Sequence, residues 1–313
     1  MHRIRVSLVV TFIALCLIAA AGFSYDRAAT ARDKAQHPME GQLVDLGGFR
    51  VHLYCTGAGK PAVVLDAGYF DSLEQWSLVQ PEVAKFTQVC SYDRAGVGWS
   101  DPSPQSQTSE EIAAELHQAL NRAGIPGPYL LVGHSIAGLY ARVFAFRFRN
   151  EVAGLVLDDS VHPDELKQFP SHFPNHPFLF AALRLTAPFG SARLLHVGCR
   201  QSGAHPDCSK FVVTLMRQMS VLQTSYAEGG AVANLGVLPI SVITHDPSIG
   251  LAKIRNDQEE VVWSHWQEDL ARLSSHSTLV VVSGVGHEIQ TDKPEVVVNE
   301  IERMVMQWRQ ANR

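Results

Sequence analysis

Ser135, His287 and one of two aspartates have the residue types and positions needed for nucleophilic catalysis. A serine hydroxyl is a weak nucleophile at neutral pH. It needs a base in contact with it and a carboxylate that holds the base. Ser135 stands in Tyr129–Tyr140, YLLVGHSIAGLY. An apolar run, Leu130 to Val132, leads into the turn Gly133-His134-Ser135-Ile136-Ala137-Gly138, and helical spacing follows through Leu139, Val143 and Phe144. A strand, a sharp turn and a helix with a serine at the apex lift the hydroxyl clear of a sheet. The backbone there is strained and requires small neighbours. Gly133 is one such neighbour. Ala137 takes the place of a second glycine, and Gly138 follows it. Taken alone, the string also reads as a Gly-rich turn.

Among 14 histidines, His287 is the candidate base, because it ends a Gly-rich loop, Gly284-Val285-Gly286-His287, after the last strand. His134 adjoins Ser135, so its ring points elsewhere and is read as structural. His162, His172, His176, His196 and His205 lack a carboxylate at helix-ligand spacing, so no metal is assigned to them. Asp246 follows the penultimate strand and is the preferred acid. Asp159, beside Asp158, follows the strand after the serine and is the alternative; turn formation or capping is the plainer reading of that pair. An oxyanion needs two backbone N–H donors. Ile136 supplies one and Tyr69 the other, with Gly68 allowing close approach; an ordinary βα turn is the competing reading of Asp66–Phe70. No cofactor is called for.

Alternating strands and helices must position these groups. Leu43–Leu46 and Arg50–Tyr54 form a hairpin, and Ala62–Leu65, Gln88–Tyr92, Val152–Leu157, Pro239–Thr244 and Thr278–Ser283 read as further strands. Thr108 and Glu111 make a capping box before Ile112, Leu116 and Leu120, and Gly124 ends that helix. The last helix starts near Pro294 and turns Val297, Ile301, Met304 and Trp308 to one face. The fold class is α/β, with a mostly parallel central sheet flanked by helices. Ser135, the aspartates and His287 each follow a strand, at the carboxyl end where such sheets hold their chemistry. From about Val161 to Gly236 prolines and phenylalanines break the pattern, which reads as an inserted helical cap.

His2, Arg3 and Arg5 precede an apolar run from Val6 to Phe23 that ends in small residues, Ala19-Ala20-Ala21-Gly22. This suits a cleaved signal peptide and equally a retained membrane anchor, and either places the rest outside the cytoplasm, periplasmic or extracellular. The expected organisation is 1–24 signal or anchor, 25–41 linker, 42–160 and 237–313 core, and 161–236 cap. Cys55 and Cys90 end two strands and could meet across a sheet, while Cys199 and Cys208 flank a short polar loop; two bridges fit an oxidising compartment. The net charge of -5 argues against a nucleic-acid surface. The partner expected is a small-molecule substrate, and the anchor alternative adds membrane attachment through the N-terminal segment.

Five stretches, AVVLDAGY, YDRAGVGWSD, LLVGHSIAG, LVLDDSVHP and GVGHEIQTDKPEVV, make the chain resemble the α/β-hydrolase superfamily from about Gln42 to Trp308. The likeness is strongest to exported or membrane-anchored bacterial members. It implies a Ser-His-acid triad under a cap. Asp66-Ala67-Gly68 stands where such proteins often carry His-Gly, which changes the polarity near the oxyanion donors and leaves the donors in place. Asp93 and Arg94 read as residues that tie down a turn. Serine at position 135 opposes the usual haloalkane dehalogenase and epoxide hydrolase chemistry, which uses aspartate there. A serine hydrolase acting on a carboxylic ester of a small to medium apolar substrate is the expected function. Cofactor-free perhydrolysis or C–C hydrolysis on the same triad, and a non-catalytic binding protein, are the competing readings.

Overall fold

The computed structural model describes residues 2–69, 71–172, 176–195, 205–249 and 257–313. Eight strands form one sheet: β1 Gln42–Asp45, β2 Arg50–Thr56, β3 Ala62–Asp66, β4 Val89–Asp93, β5 Tyr129–His134, β6 Val152–Asp158, β7 Ile240–His245 and β8 Ser277–Val282. Their order is β1-β2-β4-β3-β5-β6-β7-β8. β1, β2 and β4 pair antiparallel, and every pairing from β4 to β8 is parallel. Every residue of β3 and β5 is buried, as in a parallel sheet covered on both faces.

Helices of ten residues or more are numbered α1 His2–Gln36, α2 Ser109–Arg122, α3 Ala137–Arg147, α4 Pro177–Thr186, α5 Cys208–Ser220, α6 Leu222–Ala231, α7 Asp257–Ala271 and α8 Pro294–Ala311. α2 begins with both halves of the Thr108–Glu111 capping box and buries Leu116 and Leu120 with Phe144 of α3 on one face of the sheet. α8 covers the other face with Val297, Ile301, Met304 and Val305, while Trp308 is half-buried. Cys55 and Cys90 lie opposite one another on β2 and β4 and form a disulfide. Cys199 is outside the described residues.

α4, α5 and α6 occupy the stretch read as a cap. α5 sits on the turn after β4: Lys210 donates to the carbonyls of Gly98 and Ser100 at 2.8 and 2.7 Å. A Cβ on Gly96 would fall 2.0 Å from Thr214 Oγ1, so glycine is what permits that approach.

The expected linker over 25–41 is corrected. α1 runs unbroken to Gln36, and its polar half packs on the cap. Arg193 bonds Asp26 at 3.1 Å, Asp33 at 2.6 Å and Thr30 at 3.0 Å. These partners are spaced i, i+4, i+7 and so share one helix face. One guanidinium with several donors can satisfy all three, which holds the segment helical.

Candidate active site

β5 ends in the turn that carries Ser135, and α3 starts straight after it. Ser135 has φ +54° and is half-buried. Positive φ is costly for a residue with a Cβ, so the surroundings must enforce it. Ser135 N–H donates to the Asp158 carbonyl at 3.1 Å, and the Ser135 carbonyl accepts from Gly138 and Val161, both at 3.1 Å. The small neighbours are required. A Cβ on Gly133 would lie 2.7 Å from the Ala137 carbonyl oxygen, and one on Gly138 would lie 2.5 Å from Ser160. Ser160 Oγ donates to the Gly133 carbonyl at 2.8 Å, which locks the turn to the end of β6.

His287 Nδ1 is 2.6 Å from Asp159 Oδ2, so the partner of this histidine is Asp159 and the preference for Asp246 is corrected. Asp246 turns its carboxylate to its own loop, accepting from Ser248 N and Oγ and from Gly284 N. That is the behaviour of a loop-tying aspartate. Asp159 is fully buried and also has positive φ, +43°. Beyond His287 it accepts from His245 Nδ1, His245 N, Thr244 Oγ1 and Trp263 Nε1. Burial works against its charge, yet the bonds from His245 and His287 outweigh burial and hold its carboxyl well below the usual carboxylate range.

His245 extends the network. Its Nε2 meets Glu260 Oε2 at 2.8 Å, so its ring lies between two carboxylates. Burial again opposes charge, and the two carboxylates overcome it and raise the His245 pKa. A carboxylate against each ring nitrogen favours the form in which both nitrogens donate. Sequence reasoning passed over His245, although it ends β7 immediately before Asp246. Glu260 and Trp263 reach the site from α7, and nothing in the local pattern of that helix marked them.

Arg94 fixes the loop after β3. Its guanidinium donates to Asp66 Oδ1 and to the carbonyls of Ala67 and Gly68 at 2.5 to 2.6 Å. In a trans peptide C=O and N–H point opposite ways, so the Tyr69 N–H is directed away from Arg94. Gly68 N–H donates to Gln75 Oε1 at 2.8 Å, and a Cβ on Gly68 would lie 2.9 Å from His134 Nδ1. Ile136 immediately precedes the 11-residue helix α3, where backbone N–H groups lack intrahelical partners and the dipole favours negative charge. Asp93 accepts from Leu73 N, Trp99 N and His52 Nδ1, tying down its turn.

His134 Nε2 is 3.0 Å from the His287 carbonyl, and the two rings are 4.5 Å apart. Burial drives the His134 pKa down to about 3, so the ring is neutral and donates to that carbonyl. Among the described residues, His134, His287 and Glu288 could offer metal ligands within 4.8 Å of one another. One nitrogen of each ring is engaged, His287 Nδ1 by Asp159 and His134 Nε2 by the His287 carbonyl, and no metal is assigned to the set. His162 stacks on Trp266 at 5.4 Å and His205 on Phe211 at 3.8 Å. His196 and the side chain of His172 are outside the described residues.

Apolar side chains surround the turn. Ile136, Leu139, Tyr140, Val161, Trp263 and Trp266 form one cluster, with Tyr69, Leu166 and Phe169 packed against it.

A family model described as "Alpha/beta hydrolase family" matches residues 62–300. An uncharacterized protein of Schizosaccharomyces pombe is 33% identical over 148 residues, covering 46% of this chain and 27% of that protein. The chain thus spans about a quarter of that relative's length. The uncharacterized protein YqjL of Bacillus subtilis is 24% identical over 241 residues, covering 77% of this chain and 82% of that protein. A solved thermophilic esterase from Thermogutta terrifontis superposes with TM-score 0.59 at 21% identity, over 85% of this chain and 98% of that one. That likeness is one of fold.

Proposed function

We propose, from the premise that the chain belongs to the alpha/beta hydrolase family, that it is a serine hydrolase cleaving carboxylic esters with an apolar acyl or alcohol group. The observation that carries this reading is the 2.6 Å bond from His287 to Asp159, together with a serine held at positive φ at the end of β5. All three groups follow strands of the parallel sheet, as such chemistry requires. Ser135 Oγ attacks the ester carbonyl carbon and its proton passes to His287. Asp159 orients the imidazole and stabilises its charge. The carbonyl oxygen becomes an oxyanion held by the N–H groups of Ile136 and Tyr69. The tetrahedral species collapses, His287 gives its proton to the leaving alkoxide oxygen, and an acyl-serine remains. Water, deprotonated by His287, then releases the acid. The apolar cluster at Ile136 and Tyr69 supports an apolar group on the substrate.

The apolar part of α1, 0% buried over its most hydropathic stretch, and the Cys55–Cys90 disulfide support an exported chain. Retention of α1 as an anchor is part of this proposal. Hydrolysis of p-nitrophenyl esters over a range of acyl lengths, with Ser135→Ala as control, tests the chemistry. Loss of turnover in the variant is the expected result. No turnover with any ester, together with no labelling of Ser135 by a fluorophosphonate, would sink the reading in favour of a binding protein. Labelling without ester turnover would favour perhydrolysis or C–C hydrolysis.

A further inference from the structure

We propose that the outer face of the cap rests on the lipid bilayer beside α1, so that the proposed site draws an amphiphilic substrate from the membrane. The inference rests on the retained-anchor reading above. The apolar run of α1, Val6 to Phe23, is about 27 Å long at 1.5 Å per residue, close to the roughly 30 Å of a bilayer core. Where it ends, the protein begins. Gly22 of α1 touches the turn Ala187–Phe189, with the Phe189 carbonyl oxygen 2.3 Å from where a Gly22 Cβ would be. Tyr25 lies next to Gly190 in the same way. Arg27 sits 5.7 Å over the Phe23 ring. Tyr25 and Arg27, an aromatic and a cation just past the apolar span, are typical of the headgroup level.

This contact fixes the cap at the level where the bilayer would end. The cap there is unusually apolar and unusually bare. α4 buries none of its residues. Phe178 is 91% exposed, Leu185 74% and Leu194 72%, and Leu179, Leu195 and Phe189 are exposed with them. An apolar face of this kind marks a docking surface. Its continuity with α1 through Phe189 and Gly190 identifies the occupant as lipid. Behind α4 runs a cavity of about 400 Å³, lined by Phe180, Ala181 and Met216 and reaching Leu166 and Leu222. Those last two residues belong with the apolar cluster around Ile136. The cavity therefore lies between the bare face of the cap and the apolar cluster at the serine turn, and its lining suits an acyl chain.

Full-length protein in phosphatidylcholine vesicles tests this, with p-benzoylphenylalanine in place of Phe178, Leu185, Leu15 or Gln307, one at a time. Leu15 lies within the apolar run. Gln307 is exposed on α8, two residues from Arg309, which bonds the carbonyls of Lys60 and Phe86 ahead of β3 and β4, at the far end of the sheet. On illumination, lipid adducts at positions 178 and 185 at least tenfold above position 307 are the expected result. Adducts at position 15 alone would overturn the cap proposal and leave the anchor standing. Equal adducts at 178, 185 and 307 would overturn it as well. No adduct at position 15 would remove the anchor and the cap proposal together. Ester turnover of the same proteins in detergent reads the chemistry separately.

Discussion

His245 and His287 share the carboxylate of Asp159, each through Nδ1, at 2.7 and 2.6 Å. One buried carboxylate thus holds two imidazoles of different standing. His245 is enclosed by a second carboxylate, Glu260, whereas His287 retains some exposure on its ring. The enclosed ring lies where two carboxylates favour its charged form. The other has its second nitrogen available for chemistry.

The separation of Asp159 from Asp246 has a direct consequence. Asp159→Asn removes the oriented partner of His287 and is expected to cut kcat by roughly 10³- to 10⁴-fold, as loss of a triad carboxylate does. Asp246→Asn loosens a loop and leaves kcat/KM within about threefold. Steady-state kinetics on both variants check this. A large loss confined to Asp246→Asn would contradict the geometry.

The fold was readable because the central strands are short, mainly apolar runs and some helices carry a start signal. The Thr108–Glu111 box and Pro294 are examples, and both begin helices as expected. Ser135 and His287 were readable because glycines surround them. The acid was not, because Asp159 and Asp246 both follow strands. Only the register of β6 against β7, with the loop that returns His287, decides which one faces the ring. The helical state of 25–36 escaped notice for a related reason. It depends on Arg193, more than 150 residues away, and no local pattern encodes that contact.

The charge favoured on His245 makes a pH prediction. His245→Gln keeps a hydrogen bond to Asp159 and removes the positive charge. The field of Asp159 on the base is then uncompensated, so the base holds its proton more tightly. The acidic limb of the kcat/KM profile is expected to move alkaline by up to about one pH unit. A residue that merely filled space would lower activity without moving the limb.

Arg94 aims the loop that carries Tyr69. Arg94→Lys keeps the charge near Asp66 but cannot hold the carbonyls of Ala67 and Gly68 together, because an ammonium lacks the planar fork. Loss of one oxyanion donor costs about 10²- to 10³-fold in kcat. A drop approaching that range with KM little changed is the expected outcome. A rise in KM alone would place the role of Arg94 in substrate binding.

Asp158 tests the electrostatics through stability. It is fully buried, and among the described residues neither carboxylate oxygen has a hydrogen-bond partner. Burial first, and then the charge of Asp159, pushes its pKa well up, which favours the neutral acid in the folded chain. Between its unfolded pKa of about 3.9 and its folded value, the native chain holds a proton that the unfolded chain has lost. Stability therefore falls with rising pH across that window, by at most about 1.4 kcal/mol per pH unit. Asp159 has the opposite sign: its contribution is present above about pH 4 and is lost only as pH falls further, so it adds no slope at neutral pH. Asp158→Asn removes the proton exchange and flattens the decline. Its melting temperature relative to the parent is expected to be higher at pH 8 than at pH 5, with about 2 to 4 °C for each kcal/mol recovered. The raised pKa of His245 adds a decline of its own above about pH 6.5, which remains in the Asp158→Asn protein and so does not enter the difference. Parallel pH curves for parent and variant would show that Asp158 is charged in the folded state.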